Sequence, residues 1–176
     1  YSNDPITIDI IERNSNILDI VVDTSNNLLH LLTEDGFSAY SLEDTSEQSG
    51  LTAPTFWPES SSEPMYDVFH LATNGFVYAA YDGGIAQWDG TNWSFPVTKL
   101  TSGKALDILE ANGVLYVSFD DEGVARWDLN SGSALSSWSS ANSLHSDEIV
   151  EMMISGNQIL FASPDNGLAR YDWNSG

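Results

Sequence analysis

Three consecutive acids, Asp120-Asp121-Glu122, form the densest cluster of oxygen ligands in the sequence. Ca²⁺ requires several such oxygens acting together, so this turn is the candidate metal site and Ca²⁺ the only cofactor the sequence offers. The acids lack the alternating spacing of a calcium loop, and Asp is also favoured in tight turns because it tolerates positive φ. Asp128-x-Asn130-x-Gly132 and Asp172-x-Asn174-x-Gly176 do alternate, in a pattern that hairpin turns share. Four further acids, Asp19, Asp67, Asp107 and Glu151, sit in or beside short apolar runs. They either line a common channel as an acidic mouth or bond nearby backbone amides, and the second reading is the simpler.

The aromatic residues divide into two groups. Trp88, Trp127, Tyr40 and Tyr171 recur at one position of a repeated segment and are expected in a core. Trp57, Trp93, Trp138 and Trp173 fall outside that position and are the candidate ligand-binding residues, placed to stack on a planar or sugar face. His30, His70 and His145 are isolated in sequence, and His30 occupies an aromatic position of a strand. The sequence contains no His-Glu-x-x-His, no Gly-x-Ser-x-Gly and no phosphate-cradling glycine loop, so no catalytic residue is assigned. Asn92-Trp93-Ser94 fits the N-glycosylation acceptor pattern, which matters if the protein is exported.

Any such site lies on a strongly acidic surface. Among 176 residues, 26 Asp and Glu stand against 5 Lys and Arg, a formal charge of -21. That charge repels phosphate backbones, which argues against nucleic acid and anionic membranes as partners and in favour of cations or basic surfaces. The acids are spread along the chain, as on a solvated surface. With 41% hydrophobic residues the chain is able to bury a core, and it has no cysteine for disulfides or thiolate metal sites. No apolar run approaches the ~18 residues of a membrane span and no signal-like segment opens the chain, so no membrane insertion is expected. The chain starts at Tyr1 rather than Met, which points to processing or to a piece of a longer protein.

The elements that position these residues are repeats. Asn112-Gly113-Val114-Leu115-Tyr116-Val117-Ser118-Phe119 is followed by Asp120-Asp121-Glu122 and then by Gly123-Val124-Ala125-Arg126-Trp127-Asp128. Gly75 to Asp89, Gly156 to Asp172 and, more diverged, Asn27 to Tyr40 repeat the order. The glycines that open the third strand, Gly36, Gly84, Gly123 and Gly167, are 48, 39 and 44 residues apart, close to the ~40–50 residues of a propeller blade. Each repeat reads as an inner strand ending near an acid, an apolar-aromatic strand, an Asp/Asn/Gly turn, a Gly-x-Ala-x-Trp/Tyr strand and an outer strand such as Trp93–Val97 or Ala134–Trp138.

The expected fold is therefore all-β, a β-propeller of four-stranded antiparallel blades with about four blades in the chain. It forms one domain over 1–176, with repeats at 17–65, 66–104, 105–148 and 149–176. Residues 5–12 alternate as a strand that closes the last blade or belongs to a preceding one. The sequence favours a fragment of a longer propeller, or a half-ring that pairs with a second copy, over a closed four-blade ring, the small end of the usual ~4–8. An open arc exposes sheet faces and invites self-association through incomplete blades.

Leu144-His145-Ser146-Asp147-Glu148-Ile149-Val150, followed by Gly156 to Asp172 with its Gly167-Leu168-Ala169-Arg170-Tyr171, resembles the two-component-regulator propeller repeat. Phe161 stands where that family has its Trp, and Ala162-Ser163 where it has Gly-Thr. Trp127-Asp128-Leu129-Asn130-Ser131-Gly132 with Leu135 and Trp138 also resembles the quinoprotein-type propeller repeat. Both resemblances imply the same architecture. The first implies an extracytoplasmic sensor or recognition role, often toward carbohydrate.

Two function classes follow. The leading one is a non-catalytic extracellular, periplasmic or cell-surface propeller module that recognises a glycan or protein partner or serves as an assembly scaffold. The alternative is a propeller-type polysaccharide lyase or hydrolase whose acids are carried on blade loops.

Overall fold

The computed structural model describes residues 16–33, 36–44, 46, 68–81, 84–97 and 103–174. Trp57, Asp67 and the strand expected at 5–12 lie outside the described residues.

Apolar and β-branched runs broken by Asn, Asp and Gly form hairpins, because the turn residues accept the positive φ that tight reversals need. Asn27, Asn112 and Asp121 take this conformation, at φ 57, 53 and 56°. The first sheet comprises β1 (Ile17–Asp23), β2 (Leu28–Thr33) and β3 (Gly36–Ser41). The second comprises β4 (Val68–Leu71), β5 (Val77–Tyr81), β6 (Gly84–Trp88) and β7 (Trp93–Val97). The third holds β8 (Ala105–Ala111), β9 (Val114–Phe119), β10 (Gly123–Asp128) and β11 (Ser133–Trp138). The fourth holds β12 (Glu151–Ser155), β13 (Gln158–Ser163) and β14 (Gly167–Asp172).

Every pairing is antiparallel and follows chain order, so each sheet is a meander. The first strands of consecutive sheets pack on one another, β1 on β4, β4 on β8 and β8 on β12, which places them innermost. This is the β-propeller expected from the repeats, all-β and without helix among the described residues.

Three apolar cores sit at the three blade junctions. Leu32 and Phe37 meet Val77, Ala79, Tyr81 and Trp88 between the first two blades. Tyr78, Ala80 and Ile85 meet Ile108, Leu115, Val117 and Trp127 between the second and third. Leu109, Tyr116, Val124 and Trp138 meet Met152, Ile159 and Phe161 between the third and fourth. A fully buried Leu, Ile or Phe in such a core contributes about 1.5–3 kcal/mol.

Burial along the strands follows from this stacking. In β5 every residue is buried, since both faces of an interior blade are covered. In β13 burial alternates, with Ile159, Phe161 and Ser163 inward and Leu160 and Ala162 half-exposed. The outer face of the fourth blade carries Met153 and Leu168, 55% and 76% exposed; that of the first carries Ile20 and Val22, 55% and 49% exposed. Among the described residues no packing joins β1 to β12 as the other inner strands are joined.

One glycine fixes local geometry more tightly than the rest. Gly123 has φ 78° and an added Cβ would stand 2.1 Å from the carbonyl oxygen of Trp138. Only glycine allows this approach of backbone to backbone.

Candidate functional site

The inner-strand acids use the register of their strands. A bulge between Ala105 and Asp107 in β8, matched by one between Ile17 and Asp19 in β1, interrupts the regular ladder beside each acid. Asp107 Oδ1 accepts from Ile108 N at 2.8 Å and Oδ2 from Met152 N at 2.5 Å. The second bond crosses from the third blade to the fourth, so this carboxylate ties two inner strands together. Burial pushes the Asp107 carboxyl up to about 6, the two backbone N–H donors oppose the rise, and the charges of Glu151 and Asp19 add to it. Asp19 Oδ1 accepts from Ile20 N at 2.7 Å. The fields of three blades thus meet at the inner strands, and backbone N–H groups bond the carboxylates of Asp19 and Asp107.

Among the tryptophans, Trp93 is half-buried against Trp88 and Phe37, with ring centroids 5.6 and 5.2 Å away. Trp173 is half-buried against the third core. Trp138 is 9% exposed, with Tyr171 at 4.6 Å, Tyr116 at 5.5 Å and Phe161 at 6.0 Å, and the Arg126 guanidinium 4.2 Å over its ring. A bulge turns it inward. Arg126 pairs with Leu135 but Val124 with Trp138, and the extra residue puts Trp138 on the core face.

The acidic turn Asp120-Asp121-Glu122 is exposed and closes the β9–β10 hairpin, with Asp120 N donating to Lys104 O. Asp128 Oδ1 accepts from Asn130 N and Ser131 N, and Asp172 Oδ1 from Asn174 N, so both alternating segments form Asx turns. Among the described residues no group of three or more His, Asp or Glu side chains is arranged to hold a metal ion.

Two clefts open at blade junctions. The first, about 350 Å³, is walled by Trp138, Phe161, Tyr171 and Leu144, with Arg170 and Ser143 at its edge. The connection from β11 to β12 forms one wall. It is held by Asp147, whose Oδ1 accepts from Ser140 N at 2.6 Å and whose backbone oxygen accepts from Gly123 N at 2.8 Å. His145 Nε2 lies 3.2 Å from Gly167 O on the opposite blade.

The second cleft, about 370 Å³, lies between the first two blades and is lined by Asp23, Asn26 and His30 on one side and by Val77, Trp88 and Asp89 on the other. Asp23 Oδ1 accepts from Ser25 N and Asn26 N, and Oδ2 from Asn26 Nδ2. Burial alone would raise the Asp23 carboxyl, but these hydrogen bonds outweigh it and the result is lowered. Burial lowers the His30 imidazole against the raising field of Asp23. Sequence reasoning assigned His30 to packing and did not single out Asp23. The available signal was a histidine at a position that is tyrosine in the next two blades, seven residues after an Asp-x-Ser-Asn turn.

No family model matches the sequence, and no curated protein sequence matches it. Solved structures do match in three dimensions. The computationally designed Ika4 protein is 11% identical with a TM-score of 0.70, over 93% of this chain and 95% of its own. The extracellular domain of the putative hybrid two component system BT4673 from B. thetaiotaomicron is 20% identical with a TM-score of 0.70, over 92% of this chain and 21% of its own. PorZ, a bacterial surface component of the type-IX secretion system of Porphyromonas gingivalis, is 14% identical with a TM-score of 0.64, over 89% of this chain and 26% of its own. The chain thus spans about a fifth to a quarter of the length of these two natural proteins. At such identities the likeness is one of fold, and the chain shares the propeller-type architecture of all three.

Proposed function

We propose that the chain is a non-catalytic recognition module of an extracytoplasmic propeller, and that it holds a glycan in the cleft between the third and fourth blades. The observation that carries this reading is the wall of Trp138, Phe161 and Tyr171 beside Arg170 and Ser143. Tyr171, half-exposed beside the buried Trp138 and Phe161, offers a face for the apolar C–H side of a pyranose, and the guanidinium and hydroxyl at the edge bond its hydroxyls. An extracellular, periplasmic or cell-surface location accords with neighbours described as an extracellular domain and a surface component.

Calorimetric titration of a panel of neutral and acidic oligosaccharides tests the reading. Saturable binding is expected, weakened about tenfold in Arg170→Ala, whose side chain is exposed and whose loss leaves the melting temperature unchanged. Absence of binding across the panel, or turnover of a bound oligosaccharide, would refute it, and turnover would instead favour a polysaccharide lyase or hydrolase.

A second reading concerns the protein partner. Among the described residues Met153 and Leu168 on the fourth blade and Ile20 and Val22 on the first stand exposed. A second copy would cover both pairs at once by apposing last blade to first in a two-fold ring. Glu151 stands in the fourth blade at the register of Asp107 in the third, opposite Ala162 as Asp107 is opposite Ser118. In such a ring it takes the part of Asp107, receiving a backbone N–H from the neighbouring inner strand.

A further inference from the structure

His30 is 2% exposed and stacks on Phe37 at 5.4 Å with the ring planes 15° apart, yet neither Nδ1 nor Nε2 has a hydrogen-bond partner. Asp23 Oδ2 stands 3.9 Å from Nε2, at ion-pair distance but beyond hydrogen-bond range. A buried polar nitrogen without a partner costs stability, and a packing role alone is met by the tyrosine of the next two blades. The imidazole lines the second cleft, so what would satisfy it has a way in.

The chemistry of that cleft selects its occupant. Hydrogen bonds hold the carboxylates of Asp23 and Asp89 ionised, the latter through Thr91 N and Asn92 N. No Lys or Arg is among the described lining residues. Ionised carboxylates only accept, and a neutral imidazole offers one further lone pair. At the mouth stand Gly75 and Gly90, where an added Cβ would meet nothing within 4 Å. The cleft is therefore open, anionic and rich in acceptors, and among the described residues its Asp23, His30 and Asp89 are not grouped as a metal ion would require.

We propose that this cleft binds a small organic cation through a primary ammonium group that donates both to a ring nitrogen of His30 and to Asp23 Oδ2, with Asp89 completing the anionic wall. Two acceptors 3.9 Å apart leave place for one ammonium nitrogen within hydrogen-bond reach of both. This inference goes beyond the glycan reading and does not rest on it, since the two clefts lie at different junctions.

The test uses 1,5-diaminopentane as the probe and tetramethylammonium as a cation without N–H donors, at about 0.15 M NaCl so that general attraction to the acidic chain is screened. One diamine per chain binds by calorimetry, and the ¹⁵N resonances of the His30 imidazole shift on binding. Asp23→Asn keeps an oxygen for the Asx turn but removes the charge, and it weakens binding at least about tenfold, as does His30→Phe. Tetramethylammonium leaves the His30 resonances in place. The proposal is overturned if the diamine does not bind, if both cations shift those resonances alike, if Asp23→Asn binds as tightly as the parent, or if Zn²⁺ alone shifts the imidazole signals and the diamine does not. Should His30→Phe fail to fold, Asp23→Asn and the imidazole resonances decide the question.

Discussion

Asp107 shows how one side chain serves both neighbouring blades and acquires a pH dependence in doing so. Its carboxyl rises from 3.8 to about 6 on folding, chiefly through burial. A raised carboxyl binds protons more tightly folded than unfolded, so the stability it contributes is present below about pH 4 and is lost as the pH rises through about 6. Wild type should therefore lose about 1–2 kcal/mol relative to Asp107→Asn across that window, after allowance for solvent screening of a half-buried group. Denaturant titrations of both proteins from acidic to neutral pH measure it, and parallel curves would remove the effect. A second comparison isolates backbone approach from backbone conformation. Gly132→Ala meets only the left-handed conformation, φ 62° with nothing within 4 Å of the new Cβ, and should cost about 1–2 kcal/mol. Gly123→Ala adds a collision with the Trp138 carbonyl and should cost clearly more in the same thermal or denaturant assay. Not all of this residue chemistry was legible in the sequence. The Asp and Asn turn residues were, because turn preference is local. The inward turn of Trp138 was not, because it depends on a bulge set by pairing with another strand. The lack of a hydrogen bond at the His30 ring nitrogens was not either, because it is decided by what the second blade brings against it.

At the scale of elements, the repeat order carried most of the fold. Gly36, Gly84, Gly123 and Gly167 each open the third strand of a blade, as their spacing indicated. Outer strands at Trp93–Val97 and Ser133–Trp138 lie where turn residues predicted them to within a residue. Which faces are covered was less visible, since Leu160 in β13 and Tyr116 in β9 occupy like positions, one half-exposed and the other buried. The difference is whether a neighbouring blade packs on that face among the described residues, as the fourth does on Tyr116, and strand sequence does not encode that. The end faces give a direct prediction. Sedimentation velocity at micromolar concentration should show the wild-type chain as a two-copy particle and Leu168→Glu as a single copy with an unchanged far-ultraviolet spectrum. A wild-type chain that stays single at all concentrations would exclude the two-fold ring.

The whole molecule sets the conditions under which such surfaces act. Two chains of charge -21 repel one another, and salt screens that repulsion over a Debye length of about 10 Å at 0.1 M. Association of copies should therefore strengthen as NaCl is raised from about 0.05 to 1 M, the opposite of binding governed by attraction between unlike charges. The same acidity suits the proposed ammonium site between the first two blades, while the cleft between the third and fourth carries Arg170, one of the chain's 5 basic residues. The first and third blade junctions thus present chemically different clefts, and in the recognition proposed above the inner strands hold position while these junctions bind. The most direct test of that account is hydrogen–deuterium exchange with and without an oligosaccharide that binds in calorimetry, followed by analysis of the recovered sugar. Slowed exchange is expected at residues 138–144 and 169–173, with the sugar intact. Protection confined to the inner strands, or recovery of a cleaved sugar, would contradict it.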